Sequence, residues 1–180
     1  MLCTERVYIR RLELDDTETM LNLRIQNRSF LQPFEPIQPD SHYTFAGQQE
    51  VIQNSIYNWE KGLAYSFGIF LSDMNQLIGR VNLSNVVRGA WQNCTIGYFI
   101  DQEMQGKGYM TEAVELAVQF AFEKAGLHRV QAAIMPRNLG SIRVIEKVGF
   151  RYEGLSKNYL NINGVWEDHH IYAITQEDWQ

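Results

Sequence analysis

The sequence predicts an α+β fold, a mixed and curved central sheet of about seven strands flanked by about four helices. Three features lead there. Between residues 65 and 100, Tyr65–Leu71, Leu77–Val87 and Trp91–Ile100 are apolar segments separated by short polar turns, the pattern of an antiparallel meander. The pattern then changes to helical spacing, with Ala113, Val114, Ala117, Val118 and Ala121 on one face. Near the end, Asn163-Gly164 joins two further extended segments as a hairpin turn.

The elements follow in order. Thr4 to Glu13 alternates Val7, Ile9 and Leu12 with charged neighbours and predicts an opening strand. Asp15-Asp16 precede Met20, Leu21, Leu23 and Ile25, acidic residues before an apolar stripe, which start a helix that fades near Asn27-Arg28. Pro33 to Pro39 holds three of the four prolines, which make a stiff loop with aromatic residues in it. A second helix is expected from about Tyr43 to Lys61, stopped by Gly62. After the three meander strands, Thr111 to Lys124 is the third helix and Gly126 ends it. His128 to Met135 is a strand. Asn138 to Val148 is a short helix closed by Gly149, and Phe150–Ile162 with Val165–Ile174 form the closing hairpin.

The chain has 180 residues, 45% hydrophobic and 21% charged, which suits one domain over residues 1–180 with a core that needs no disulfide or structural metal. No apolar run approaches the roughly 20 residues that span a bilayer, so no membrane association is expected. The first residues show no basic segment followed by an apolar one, so no signal peptide is expected. Sixteen Lys and Arg oppose 21 Asp and Glu, a formal charge of −5, which weighs against direct nucleic-acid binding. Cys3 and Cys94 form no metal-ligand spacing, and His42, His128, His169 and His170 fall in no metal motif, so no metal is expected. Cys94 lies in an apolar stretch and fits a small buried hydrophobe. A reducing cytoplasm is the simplest compartment.

The segment richest in chemistry runs from Phe99-Ile100 through Gln105-Gly106-Lys107-Gly108-Tyr109-Met110-Thr111. A strand passes through a glycine-containing loop into a helix. First-turn amides lack internal partners and carry the positive end of the helix dipole, so the site suits a phosphate or pyrophosphate. Lys107 adds a full charge. From these residues alone, a plain strand-to-helix turn using glycine at positive φ is an equal reading. Neither a Walker loop nor a dinucleotide-binding glycine motif is present.

A second segment, Asn138 to Phe150, changes the balance. Together the two resemble the GNAT superfamily of N-acetyltransferases. Its pyrophosphate loop has Gln or Arg, two free positions, Gly, one free position, then Gly or Ala; Gln105 to Met110 matches through Gly108, with Met110 at the last position. Asn138, Ser141, Arg143, Gly149 and Phe150 match the later pattern. Within the superfamily the chain is similar to the RimJ-type ribosomal-protein-alanine N-acetyltransferases, through Ser84 to Gly89, Gln105 to Gly108, Glu153-Gly154, Lys157 to Leu160 and Gly164-x-Trp166-x-Asp168-His169.

The resemblance implies a GNAT-type fold and transfer of acetyl from acetyl-CoA to a protein N-terminal amine. It implies that Phe99, Ile100, Gln105, Gly106, Lys107, Gly108, Tyr109, Met110, Thr111, Asn138 and Ser141 bind the acetyl donor, with an amide near Ile100 polarising the thioester carbonyl. Many relatives use a Glu on the fifth strand and a Tyr on the fourth helix; alignment from Asn138 puts Ala133 and Ile145 there, against the RimI-type arrangement. Ser141 can donate to the departing thiolate, or simply bond backbone at the helix start. Asp168 and His169 can contact the amine or relay its proton, or pair with each other. Asp101 and Glu103 flank the loop and can simply be solvated; Glu112 fits a first-turn acid facing the dipole. An N-terminal amine has a pKa near 8, so ordered water can replace a strong base. Phe30, Phe34, Glu35 and Tyr43 are acceptor contacts or packing for the Pro-rich loop.

Three other readings follow. A polyamine, an aminoglycoside or another small amine is an alternative acceptor. A CoA-binding regulatory module without turnover is an alternative of another class, and a nucleotide-binding module is the third. A homodimer is compatible with all of them.

Overall fold

The alternation of apolar and polar residues in the meander becomes the centre of one sheet. In a computed structural model, which describes residues 1–179, the elements are β1 (Leu2–Cys3), β2 (Val7–Arg11), α1 (Thr17–Gln26), α2 (Arg28–Leu31), α3 (Phe45–Glu60), β3 (Tyr65–Leu71), β4 (Leu77–Val87), β5 (Asn93–Ile100), α4 (Tyr109–Glu123), β6 (Arg129–Ile134), α5 (Leu139–Val148), β7 (Arg151–Ile162) and β8 (Val165–Thr175). The sheet has eight strands in the order β1-β2-β3-β4-β5-β6-β8-β7. Every neighbouring pair is antiparallel except β5 and β6. The mixed α+β expectation holds. The extra strand is the two-residue β1 pairing with β2, and the extra helix is the single turn α2, both too short to leave a periodicity in the sequence.

Two helical layers cover the sheet. On one face α4 packs against it, with Ala113, Val114, Ala117, Val118 and Ala121 fully buried. The alanines let the helix axis approach the strands, and each buried valine contributes about 2 kcal/mol. On the other face Leu12, Met20, Leu23, Ile52, Phe70 and Leu77 form a second cluster beneath α1 and α3. The helix expected from Tyr43 begins at Phe45, because the Thr44 hydroxyl caps it by accepting from the Gly47 amide at 3.1 Å. Asp40–Tyr43 forms a separate 3-10 turn.

Two irregularities in the sheet shape the site. Across β3 and β4 the register shifts from Ile69↔Gly79 to Phe70↔Leu77, leaving Ile78 as the extra residue of a bulge. Leu77 therefore shares a face with Arg80 and Asn82, the face toward α1 and α3. The second irregularity is a splay. β5 and β6 pair only from Asn93↔Arg129 to Thr95↔Gln131. Beyond that β5 stays with β4 and β6 with β8, so the two strands part.

The closing hairpin turns at Asn163 and Gly164, both at positive φ, as a two-residue loop demands. Its tip reaches the Pro-rich loop, where the Asn163 Oδ1 accepts from the Ile37 amide at 2.6 Å. Arg137 holds the same loop at its other end by donating to the Pro33 carbonyl at 3.0 Å. Cys94 is fully buried and burial pushes its thiol up to about 12, the behaviour of a small core hydrophobe.

Candidate active site

The glycine loop forms the first part of the site. Asp101 is buried and caps a 3-10 turn over Gln102–Met104, its Oδ1 accepting from the Glu103 amide at 3.1 Å, so it is not the solvated acid that the sequence left open. Gly106 and Gly108 take φ of 73° and 87°, and α4 starts at Tyr109, two residues before the expected start at Thr111. The helix ladder opens with the Glu112 amide on the Gly108 carbonyl at 3.2 Å. The amides of Tyr109, Met110 and Thr111 precede that bond and have no carbonyl one turn back. A residue the sequence did not single out fixes this loop from outside. Arg6 donates to the Lys107 carbonyl at 2.9 Å, lies 5.1 Å over the Tyr109 ring and pairs with Glu112. Glu112 also accepts from the Thr4 hydroxyl at 2.6 Å. It is thus the partner of Arg6 rather than only a dipole-facing acid. Gln105 is extended, and Lys107 is exposed, its Nζ 3.8 Å from the Met104 sulfur and in no salt bridge among the described residues.

The splay is the second part. The Asp101 amide donates to the Ile78 carbonyl of β4 at 2.8 Å. Backbone groups alternate sides along a strand, so those of Ile100 and Tyr98 face away from β4, into the opening between β5 and β6. Phe99, one step out of phase, directs its backbone to β4 and its ring to the other layer, where Arg24 lies 4.8 Å over it.

At the opening Tyr98 and Ser141 form a hydroxyl pair. The Ser141 Oγ donates to the Tyr98 hydroxyl at 2.8 Å, and that hydroxyl donates to the Ser141 carbonyl at 3.1 Å. Asn138 caps α5 by accepting from the Ser141 amide at 3.3 Å, so the Ser141 side chain is not needed by the helix end. Burial raises the Tyr98 phenol well above its ordinary value, partly offset by Ser141, and it stays protonated at neutral pH. The family positions for a catalytic Glu and Tyr hold Ala133 and the fully buried Ile145.

The third part is a cavity of about 250 Å³ on the α1 and α3 side of the sheet. Arg80, Asn82, Gly97 and Phe99 floor it; Arg24, Glu35, His42 and Gln48 are among its walls, and Tyr98 lines it too. Glu35 accepts from Arg24 at 2.5 Å. Burial, followed by the charge of Arg24, lowers the pKa of His42, so the ring is neutral at pH 7. Its Nε2 is buried with no partner among the described residues. Of the expected acceptor contacts, Glu35 lines the cavity while Phe34 and Tyr43 do not. Tyr43 instead supports its wall, edge-on to His42 at 5.3 Å and 4.0 Å beneath the Arg28 guanidinium.

Asp168 and His169 also lie outside the lining. The Asp168 Oδ1 accepts from the Asn158 amide at 2.9 Å, in the bulge where Asn158 has φ of 50°. His169 is buried, with Nδ1 2.9 Å from the Glu167 carbonyl and its ring 5.6 Å from Tyr159. A carbonyl only accepts, so Nδ1 carries the proton. The two do not pair with each other, because successive strand residues face opposite ways. Among the described residues no group of three or more His, Cys, Asp or Glu is placed to hold a metal, and no helix is long and apolar enough to cross a membrane.

Residues 6–151 match the family model described as an acetyltransferase (GNAT) domain. The chain is 47% identical to the probable N-acetyltransferase YjcK of Bacillus subtilis, covering 99% of this chain and 98% of that one. Among solved structures, the ribosomal-protein-S5-alanine acetyltransferase of Vibrio fischeri superposes with a TM-score of 0.92 at 34% identity, covering 99% of this chain and 98% of that one. RimJ of Mycobacterium smegmatis, in complex with CoA-disulfide, superposes with a TM-score of 0.91 at 29% identity, covering 96% and 83%.

Proposed function

The chain belongs to the acetyltransferase (GNAT) family, and from that premise we propose that residues 1–180 act as one domain transferring acetyl from acetyl-CoA to a protein N-terminal α-amine, of the alanine type on ribosomal proteins, in the cytoplasm. One observation carries this reading. The hydroxyl pair Tyr98–Ser141 and the polar cavity lie on opposite faces of β5 and meet at Tyr98, where the sheet is open. A donor held on the loop side and an amine held on the cavity side would face each other there. Likeness to the Vibrio and Mycobacterium enzymes supports the same substrates.

The residues fit an acetyl-CoA site: an amide-rich helix start with two glycines at positive φ, an exposed Lys107, and a splay with unpaired backbone groups. Acetyl-CoA supplies the acetyl group as an activated thioester. Gln105 to Thr111 hold the pyrophosphate, and the Ile100 amide donates to the carbonyl oxygen as charge develops on it. With the two hydroxyls turned so that Tyr98 donates to the Ser141 Oγ, Ser141 donates its own proton to the departing sulfur. The amine must be neutral to attack. An α-amine is close to that at neutral pH, Arg24 and Arg80 disfavour its charged form further, and the free His42 Nε2 accepts its proton directly or through water. Asp168 and His169 hold the β7–β8 bulge rather than the amine itself.

Thiol release from acetyl-CoA with Ala- and Ser-starting peptides, set against polyamines and aminoglycosides, tests the reading. Release with peptides supports it, and release only with small amines reassigns the acceptor. CoA binding with no release across the panel makes the chain a binding module. Ser141→Ala is expected to lower kcat by about 100-fold or more with CoA affinity and melting temperature unchanged, and Tyr98→Phe to follow it. Unchanged kcat in both variants would remove the hydroxyl pair from the chemistry.

A further inference from the structure

The charges in the cavity do not balance. Arg24 and Arg80 line it, and Glu35 is its single carboxylate. Glu35 is already engaged by Arg24, through contacts of 2.5 and 3.3 Å. Arg80 has one protein partner among the described residues, the Ser66 hydroxyl, which accepts from its Nε at 2.7 Å. Its two terminal nitrogens have none. Burial, with Arg24 nearby, brings its guanidinium down to about 10, so it remains charged at neutral pH. The Arg24 Nε is buried without an acceptor among the described residues. Asn82, which lines the floor beside Arg80, makes no side-chain hydrogen bond to any described residue. His42 is neutral here and adds only an unpartnered nitrogen.

Arg80 is half-buried, with its terminal nitrogens left to the cavity, so an anionic group entering there would meet a partly desolvated cation that no carboxylate among the described residues engages. The β4 bulge at Ile78 keeps Arg80 pointing inward beside apolar Leu77. A guanidinium fork matches a carboxylate in shape as well as charge. Excess positive charge also repels an acceptor that brings several ammonium groups.

We propose that Arg80, with Arg24 and Asn82, forms a carboxylate-recognising subsite in the acceptor cavity, so that the favoured acceptor is an amine bearing an acidic group close to its nitrogen. This rests on the reading of the cavity as the acceptor site. The carboxylate has two possible sources, an Asp or Glu side chain following the N-terminal residue of a peptide or the α-carboxylate of a free amino acid.

Matched peptides Ala-Asp-Ala-Ala-NH2 and Ala-Asn-Ala-Ala-NH2, free alanine and spermidine are compared by kcat/KM, and the peptides by calorimetric titration into the CoA-loaded protein. The acidic peptide should exceed the amide by about 10- to 100-fold, the scale of one charge-assisted hydrogen bond, and spermidine should be the poorest acceptor. In Arg80→Gln the acid-to-amide ratio should fall to about one, whatever the absolute rate, while Arg80→Lys keeps part of it. Preference for free alanine over both peptides assigns the carboxylate to the α-carboxyl and retains the subsite. If no amine is acetylated, the proposed transfer fails, yet tighter titration of the acidic peptide in the wild type still supports the subsite. Equal kcat/KM and equal affinity for acid and amide in the wild type, with no preference for free alanine, overturn it, with no variant required.

Discussion

Gly108→Trp weakens CoA binding by at least about 100-fold, or about 2.7 kcal/mol. Gly108 sits at φ of 87°, where a residue with a Cβ is strained by about 1–2 kcal/mol. Its Cβ would also stand 3.0 Å from a terminal nitrogen of Arg6. Arg6 cannot retreat freely, because it is bonded to the Lys107 carbonyl and to Glu112. Displacing it loosens the loop from the first turn of α4, and the indole then occupies the space before the Tyr109 and Met110 amides. Gly106→Asn is the contrast. Gly106 also has positive φ, but nothing lies within 4 Å of a Cβ there, and Asn tolerates that backbone region. Its loss should stay within about tenfold. Calorimetric titration with CoA reads both. Because the loop is exposed and outside the core, the melting temperature should fall by only several degrees. Unchanged CoA affinity in Gly108→Trp would mean the loop does not bind phosphate.

Such a result bears on the part of the site that was legible in the sequence. The loop is continuous, its glycines are two residues apart, and amide direction at a helix start follows from helix geometry alone. Strands and helices were legible for a similar reason, since each has its own periodicity. The splay leaves no periodicity to read, because where two parallel strands part is a matter of neighbours. The cavity was mostly hidden. Its walls come from Arg24 in α1, Glu35 in the Pro-rich loop, His42 in a 3-10 turn, Gln48 in α3 and the β4–β5 floor. Only Glu35 stood out, through the loop that carries it. A signal for Arg80 and Asn82 did exist: in Leu77 to Leu83 two polar residues alternate with Val81 and Leu83 inside an otherwise buried strand. Polar residues on one face of a central strand imply a polar chamber against that face. The bulge at Ile78, which sets which face, leaves no such mark. Tyr98 and Ser141 lie 43 residues apart in sequence, so their pairing was equally invisible.

Gly97→Ile should abolish acceptor turnover while leaving CoA binding intact, and it separates the two halves of the site. Gly97 lies in β5 opposite Asn82, in phase with Phe99 and out of phase with Tyr98. Its Cβ would therefore enter the cavity floor, where nothing lies within 4 Å. The glycine is not required by its backbone, which is not among those at positive φ. A β-branched residue suits the strand, so the fold should gain rather than lose up to about 1 kcal/mol. What the substitution removes is space: a branched side chain rising from the floor fills much of a cavity of about 250 Å³ between Arg80, His42 and Glu35. The loop and the Ser141 hydroxyl are reached from the other side of the strand and are unaffected. With an N-terminal peptide, kcat/KM should fall by at least about 100-fold, a loss of about 2.7 kcal/mol in transition-state binding. Gly97→Ala, adding one carbon, should fall between the two and act mainly on KM. Full turnover in a folded Gly97→Ile would place the acceptor elsewhere, since no amine could then reach the opening at Tyr98 through this cavity.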